Sequence, residues 1–552
     1  MRKLLQMFLL GAKNLLLFTQ NVLSVGIYHL PNTESQDPQP TLMFQVTKSA
    51  SHSGILRELS FKFTPPPTSF KLTPKELSFL LQCNFLQASS KSKMMAHGKK
   101  VDPQNSPKSS MIVDVECRLT KSGSDFFHDD FHTEKGTWLI VSCMGNGQAL
   151  KFANDDASLL PSAGAAVQLL PTESNSFLPL PVSNTFNGLD VKGTIFCYLP
   201  LPIHSGLPFH INGAFAMASN RRFLQIKLKD DKSCYGVEWN KVLLQDSVTS
   251  ALLDLLEDMK GLVPKDGSYK FHCLWPKTSQ NCLPLVRSFY TQLSRGGYPL
   301  FSNGEHWADI KQVIFLDPHF RKKGQIGEAA NKVLKMCHRG RKIVIDLPSD
   351  ILHAFEEFGQ EKVINARRYR KNRFFREVLF PNLHILPENL RDVLILHALD
   401  DKSEEFHDLL RLHPCVPSSP TGNVLNTPSS FVHPYGEAAS LFSSEDGRFP
   451  YGTKESYVHP QRLAKLVQLG MLSNDLPWSD LLERAESIQK LNSLNNREAL
   501  TRITALLSFM EKKLIRQEKP SPQISARLLN TKFLPILQKP REFPLLWNGN
   551  SN

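Results

Sequence analysis

Apolar and polar positions along this chain change rhythm, from strand-like alternation in the first half to helical spacing near the C-terminus. Between Phe177 and Phe223 the runs Thr194 to Tyr198 and Phe209 to Phe215 read as strands, set among two copies of Leu-Pro-Leu-Pro at Leu178 to Pro181 and Leu199 to Pro202. Proline fixes its own φ and has no N–H for an inner ladder, so each Leu-Pro pair is expected to stop a strand and turn the chain outward. The stretch ends on a basic exit, Ser219-Asn220-Arg221-Arg222.

Upstream, Thr41 to Thr47 and Trp138 to Cys143 also read as strands, and Asn146-Gly147 after the second is a hairpin signal because both residues tolerate positive φ. From Ser110 to Thr120, Met111, Val113, Val115 and Cys117 alternate with Ile112, Asp114, Glu116 and Arg118, which predicts a half-exposed strand. The N-terminal Met1 to Leu30 predicts a buried helix leading into a strand from Val22 to Tyr28. Lys13 and Asn14 interrupt its apolar run, and neither a signal peptide nor a membrane span is expected.

Downstream, Ser247 is expected to cap a helix that runs through Lys260, with helices over Val286 to Gln292 and Gly327 to His338 and apolar strands at Val313 to Leu316 and Ile343 to Ile345. Three amphipathic helices close the chain. They begin near Pro460, at Asp480 after a cap at Ser479, and at Glu498, the last with Ile503, Leu506, Leu507 and Met510 on its apolar face. The expected fold class is mixed α+β: a mixed sheet with hairpins, a second α/β unit and a small helical domain at the C-terminus. Residues 1–30 form the leading segment, 31–245 the sheet domain, 246–412 the α/β unit, 413–459 a Pro/Ser-rich connector, 460–518 the helical domain and 519–552 a proline-broken apolar tail.

With 552 residues, of which 41% are hydrophobic, the chain can bury several cores. Its formal charge of +13, from 65 basic and 52 acidic residues, is a moderate excess that sets solubility, and nucleic acid is not the expected partner. The nine cysteines include no C-x-x-C pair, which suits a reducing, cytoplasmic setting and predicts no structural zinc. His128-Asp129-Asp130-Phe131-His132 carries metal-ligand chemistry but reads as a solvated loop. The basic run Ala366 to Arg376 could stack on bases, yet it reads as aromatics facing a core with the arginines in solvent.

The phrases CYLPLP, SGLPFHINGAFAMASNRR, WLIVSCMGNGQAL and LPSAGAAVQLLP resemble successive pieces of the repeat of the sacsin family. Later phrases, CVPSSPTGNVLNTPSSFVHP, DGRFPY, LPWSDLLERAESI and FLPILQKPREFPLLW, resemble the rest of that repeat in the same order. Members are giant chaperone-related proteins whose repeats begin with an ATPase module like that of the ninety-kilodalton heat-shock chaperones. The resemblance implies a segment downstream of that module, a truncated sacsin-like protein with a chaperone or co-chaperone role. It implies client proteins, and the seventy-kilodalton heat-shock chaperone system, as partners.

No catalytic residue, cofactor or metal is assigned from the residues. Gly145-Asn146-Gly147 reads as a turn, and Gly296-Gly297 lacks the lysine and serine of a phosphate loop. The resemblance implies Arg221 or Arg222 as the arginine that such a segment offers to the terminal phosphate of a nucleotide held elsewhere. That leaves two other readings: the arginine-supplying half of a split ATPase, and a basic nucleic-acid-binding protein.

Overall fold

A computed structural model describes residues 11–57, 108–264 and 270–534, except for short stretches such as 31–38, 124–133 and 226–234. The loop His128 to His132 lies outside the described residues, as do Pro74 to Phe85, whose sequence could make a short helix, and most of Leu224 to Leu228, which reads as a strand. The chain forms two compact units, residues 1–316 with 340–368 and residues 317–339 with 369–552.

The first unit is built on a nine-stranded mixed sheet. Strands β1 (Ser24–His29), β2 (Thr41–Arg57), β3 (Lys108–Leu119), β4 (Glu134–Met144) and β5 (Ser162–Pro171) form an antiparallel series. Strand β6 (Phe177–Leu180) pairs with the end of β5, and a two-residue ribbon, β7 (Thr185–Phe186) with β8 (Leu189–Asp190), follows. The order then runs from β5 through β11 (His210–Gly213) and β9 (Thr194–Cys197) to the edge strand β10 (Leu199–His204). Leu178 to Leu180 of the first Leu-Pro-Leu-Pro copy lie in β6 and the whole second copy lies in β10, so Pro179, Pro200 and Pro202 stand within strands, contrary to the expected strand stops. At an edge, a missing N–H can face away from the ladder at no cost.

β3 is buried on both faces, not half exposed, because both sides of the sheet are covered. Met111, Val113, Val115 and Cys117 join Trp138, Phe196 and the N-terminal Leu16, Leu17 and Phe18 in one core. Ile112, Leu139, Val141, Ala163, Ala165 and Ile211 face the other, larger core with Trp239, Leu252 and Leu256. Asp114 belongs to the buried set and keeps its charge satisfied by Lys135 at 3.1 Å and the Thr137 hydroxyl at 2.8 Å. Burying each aliphatic side chain contributes about 1.5–3 kcal/mol, so enclosing both faces makes the centre of the sheet the best-secured part of this unit.

Two loop expectations change. Helix α1 (Gln148–Asp155) follows Gly147 between β4 and β5, so no tight hairpin forms there. Gly147 and Ala149 N–H both donate to Asp246 Oδ2 at 2.9 Å, and this carboxylate fills the helix N-terminus. Ser247 is likewise no cap. Helix α2 (Tyr235–Leu243) passes through a π-helical turn, Leu244–Val248, into α3 (Thr249–Met259), and the Ser247 hydroxyl donates to the Pro161 carbonyl at 3.0 Å. The extra residue of the π turn lets Asp246 reach α1. The parallel pair β14 (Val313–Leu316) and β15 (Ile343–Ile345), preceded by the ribbon β12 (Phe301–Ser302) and β13 (Trp307–Ala308), shares the larger core.

The basic run follows the expectation in part: in the first unit Arg368 is half-buried and pairs with Glu356 at 2.9 Å, whereas the second unit holds the aromatics. Tyr369, Phe374 and Phe375 are buried, with Phe375 4.5 Å from Phe406 between ring centroids, while Arg370 and Arg376 are exposed. Residues 413–459 are ordered by short 3-10 turns and the strand pair Val416–Pro417 with Leu425–Asn426. Helices α4 (Pro460–Gln468), α5 (Trp478–Leu491), α6 (Asn496–Ile515) and α7 (Pro522–Asn530) follow. α5 begins one residue ahead of its expected cap. Leu481, Ala485 and Ile488 pack against Ala499, Ile503, Leu506 and Phe509, but Leu507 faces solvent.

Candidate functional site

The predicted site residues stand on a loop whose base is held from several directions. Trp239 Nε1 on α2 donates to the Ala214 carbonyl at 2.9 Å, and the neighbouring Asn240 clamps Ala216 by accepting its N–H at 2.7 Å and donating to its carbonyl at 2.9 Å. The chain then makes a narrow loop. Met217 bridges Leu224, and Ala218 N–H donates to the Phe223 carbonyl at 2.8 Å.

Ser219, Asn220, Arg221 and Arg222 form the exposed tip. Arg221 has φ of 55°, in the left-handed region that costs a residue with a Cβ about 1 kcal/mol. Its N–H donates to the Ala218 carbonyl at 2.8 Å, and the Asn220 side chain accepts from Arg222 N–H at 3.0 Å. Neither guanidinium has an ion-pair partner among the described residues. Two arginines on a fixed backbone can take an anionic group, carboxylate or phosphate, by paired N–H donation.

Against known proteins, no family model and no solved structure matches the chain. Human sacsin is 35% identical to it over 454 residues, 78% of this chain. The chain is sacsin-like. It spans 10% of the length of that curated relative.

In this sacsin-like chain two buried histidines and several buried thiols are held in uncharged forms. His210 is buried between Trp138 and Phe196 and accepts the Thr194 N–H at 3.0 Å; burial first, and the Lys13 charge second, lower its pKa to about 4. His272 is lowered to about 4 by burial alone. Burial pushes the Cys117 thiol to about 11 and those of Cys282 and Cys415 to about 12. Cys117, Cys282 and Cys415 form no disulfide. Such thiols are protonated and weak nucleophiles at neutral pH.

Asp246 is raised by burial, although the N–H groups of Ala149 and Gly147 pull the other way. It occupies the donors that a glycine-flanked helix start would otherwise present to an anion. Trp239 and Asn240, which position the arginine loop, were not legible as a site. The helix carrying them starts at Tyr235, ahead of the expected start at Ser247, and only a tryptophan-asparagine pair in a short amphipathic run hinted at it.

Proposed function

We propose that the chain is a protein-binding scaffold of chaperone or co-chaperone type, working in the cytoplasm on client proteins without catalysis of its own. The observation that carries this reading is the outer face of α6. Leu500, Leu507 and Leu514 are exposed at seven-residue spacing, which keeps them on one side of a helix, and Ile515 beside them is 73% exposed. An apolar stripe of this kind on a folded unit suits contact with another polypeptide. Similarity to sacsin supports the chaperone context, and the seventy-kilodalton heat-shock chaperone system is the proposed wider partner. No helix among the described residues is long and apolar enough to cross a membrane.

The test is light scattering of a heat-denatured reporter enzyme without ATP. Wild type is expected to suppress aggregation, and Leu507→Glu with Leu514→Glu to lose most of that effect; unchanged scattering at excess wild-type chain rejects the scaffold.

A second reading has its own observation, Arg221 and Arg222 on an anchored loop with no ion-pair partner among the described residues. They suit the arginine-supplying half of a split ATPase, where a donated guanidinium stabilises charge developing on a transferred phosphate. Mixing the chain with a heat-shock-type nucleotide domain should then raise phosphate release, and Arg221→Ala with Arg222→Ala should abolish the increase. No increase with wild type removes this reading.

A further inference from the structure

An open cleft of about 670 Å3 lies within the second unit, walled by four separate stretches of chain, 418–430, 446–448, 470–472 and 477–480. Local backbone keeps it open. Gly447 and Gly470 both line it with left-handed φ, 67° and 114°, and a Cβ on Gly470 would reach to 3.6 Å from that of Ser429 at the rim.

Two polar atoms on its lining residues are buried without a hydrogen-bond partner, Arg448 Nε and Ser419 Oγ. A buried donor left unmade costs about 1–3 kcal/mol, so native structures rarely keep two in one place without an occupant to meet them. The rest of Arg448 is fixed: Nη2 donates to Asp480 at 2.7 Å, and the guanidinium lies 5.2 Å from the Phe442 ring centroid.

Charge and shape narrow the occupant. Asp446 and Asp480 line the cleft already paired, Asp446 with Arg484 and Arg502 and Asp480 with Arg448, so among the described residues the lining carboxylates and arginines neutralise one another and favour an uncharged occupant. No aromatic ring lines it, which removes the stacking platform that a sugar or a base uses. What remains is a hydroxyl-rich wall with Val424, Leu472 and Pro477 between the polar groups.

We propose that this cleft binds an uncharged, extended peptide segment, with Arg448 Nε–H and the Ser419 hydroxyl donating to main-chain carbonyls and Val424, Leu472 and Pro477 seating an apolar side chain. The inference rests on the scaffold reading above and gives it a second contact, away from the α6 stripe. The probe is an array of short overlapping peptides from a thermolabile reporter enzyme, followed by fluorescence anisotropy of the best binder with the full chain.

Ser429→Trp, at an exposed rim position, fills the cleft without entering the core and is expected to weaken peptide binding on the order of tenfold or more. Ser419→Ala should weaken it several-fold. An array on which wild type retains no uncharged peptide overturns the proposal. So does wild-type affinity in Ser429→Trp, or displacement of the bound peptide by inorganic phosphate. Failure of wild type to suppress aggregation strikes the scaffold reading instead, since peptide binding is read in a separate assay.

Discussion

Beside the sheet of the first unit, His210 and His272 are buried as neutral rings, whereas in the second unit Arg484, Arg502 and Lys513 are buried as cations held by carboxylates. Arg484 Nη1 meets Asp446 Oδ1 at 2.8 Å and the guanidinium lies 4.6 Å from the Phe442 ring centroid; Arg502 meets Glu498 at 2.7 Å. Burial would raise the Asp446 pKa, but hydrogen bonds from Ser443 and Arg484 and the charges of Arg484 and Arg502 hold it below the usual range. A neutral ring costs little until a proton arrives. An ion pair is tolerable only while both partners remain, so the two units should fail to different insults.

The largest expected effect comes from removing one partner of a buried pair. Arg484→Ala removes the nearer cation from Asp446, leaving Arg502 at 3.5 Å, and should destabilise the second unit by up to about 3–5 kcal/mol, read by urea unfolding, with Arg484→Met recovering part of the loss. A loss under about 1 kcal/mol would show that water already screens the pair.

Acid should reach the first unit before the second. The unfolded histidines take protons near their ordinary pKa of about 6.5, while the folded ones wait until about 4. Stability is therefore lost as pH falls from 6.5 to 4, by at most roughly 3 kcal/mol for each ring, and flattens below. Asp446 acts in a lower window, its contribution disappearing as pH falls through its depressed folded value. Hydrogen exchange followed by mass spectrometry at stepped pH should show β9 and β11 losing protection before α5 and α6; the reverse order would break the contrast.

Trp239→Phe keeps the ring in the core and deletes its donation to Ala214. It should cost about 1 kcal/mol and speed exchange at Ala218 and Arg221. The smallest effect is expected at the loop tip. Arg221→Gly relieves the left-handed strain and should raise stability by about 1 kcal/mol or less, while Arg222→Ala should leave it unchanged. Gain of stability together with loss of any anion-dependent activity would mark Arg221 as kept for binding.

Much of the architecture was legible, because strand alternation and helical spacing are local. The strands β14 and β15 followed directly from short apolar runs, and the burial of Phe374 and Phe375 from aromatics interleaved with a basic run. Errors came where a distant segment changed the meaning of a local pattern. The alternation of β3 could not reveal that Leu16, Leu17 and Phe18 cover one of its faces. Gly147 looked like a turn because Asp246, the partner that starts a helix there, lies far along the chain. The Leu-Pro pairs gave the right chemistry and the wrong geometry, since proline marks an edge as readily as an end. Arg221 and Arg222 were visible as a basic pair, but their anchoring by Trp239 and Asn240 was not. The peptide cleft was invisible, being assembled from four stretches, each unremarkable alone.

Strand β10 carries Pro200 and Pro202 along the rim of the sheet. A rim with two amides missing offers an incomplete template to an incoming strand, and the fixed φ of each ring resists flattening. An extended chain that met this rim would find fewer amides to zip onto, so the edge resists growth into a fibril.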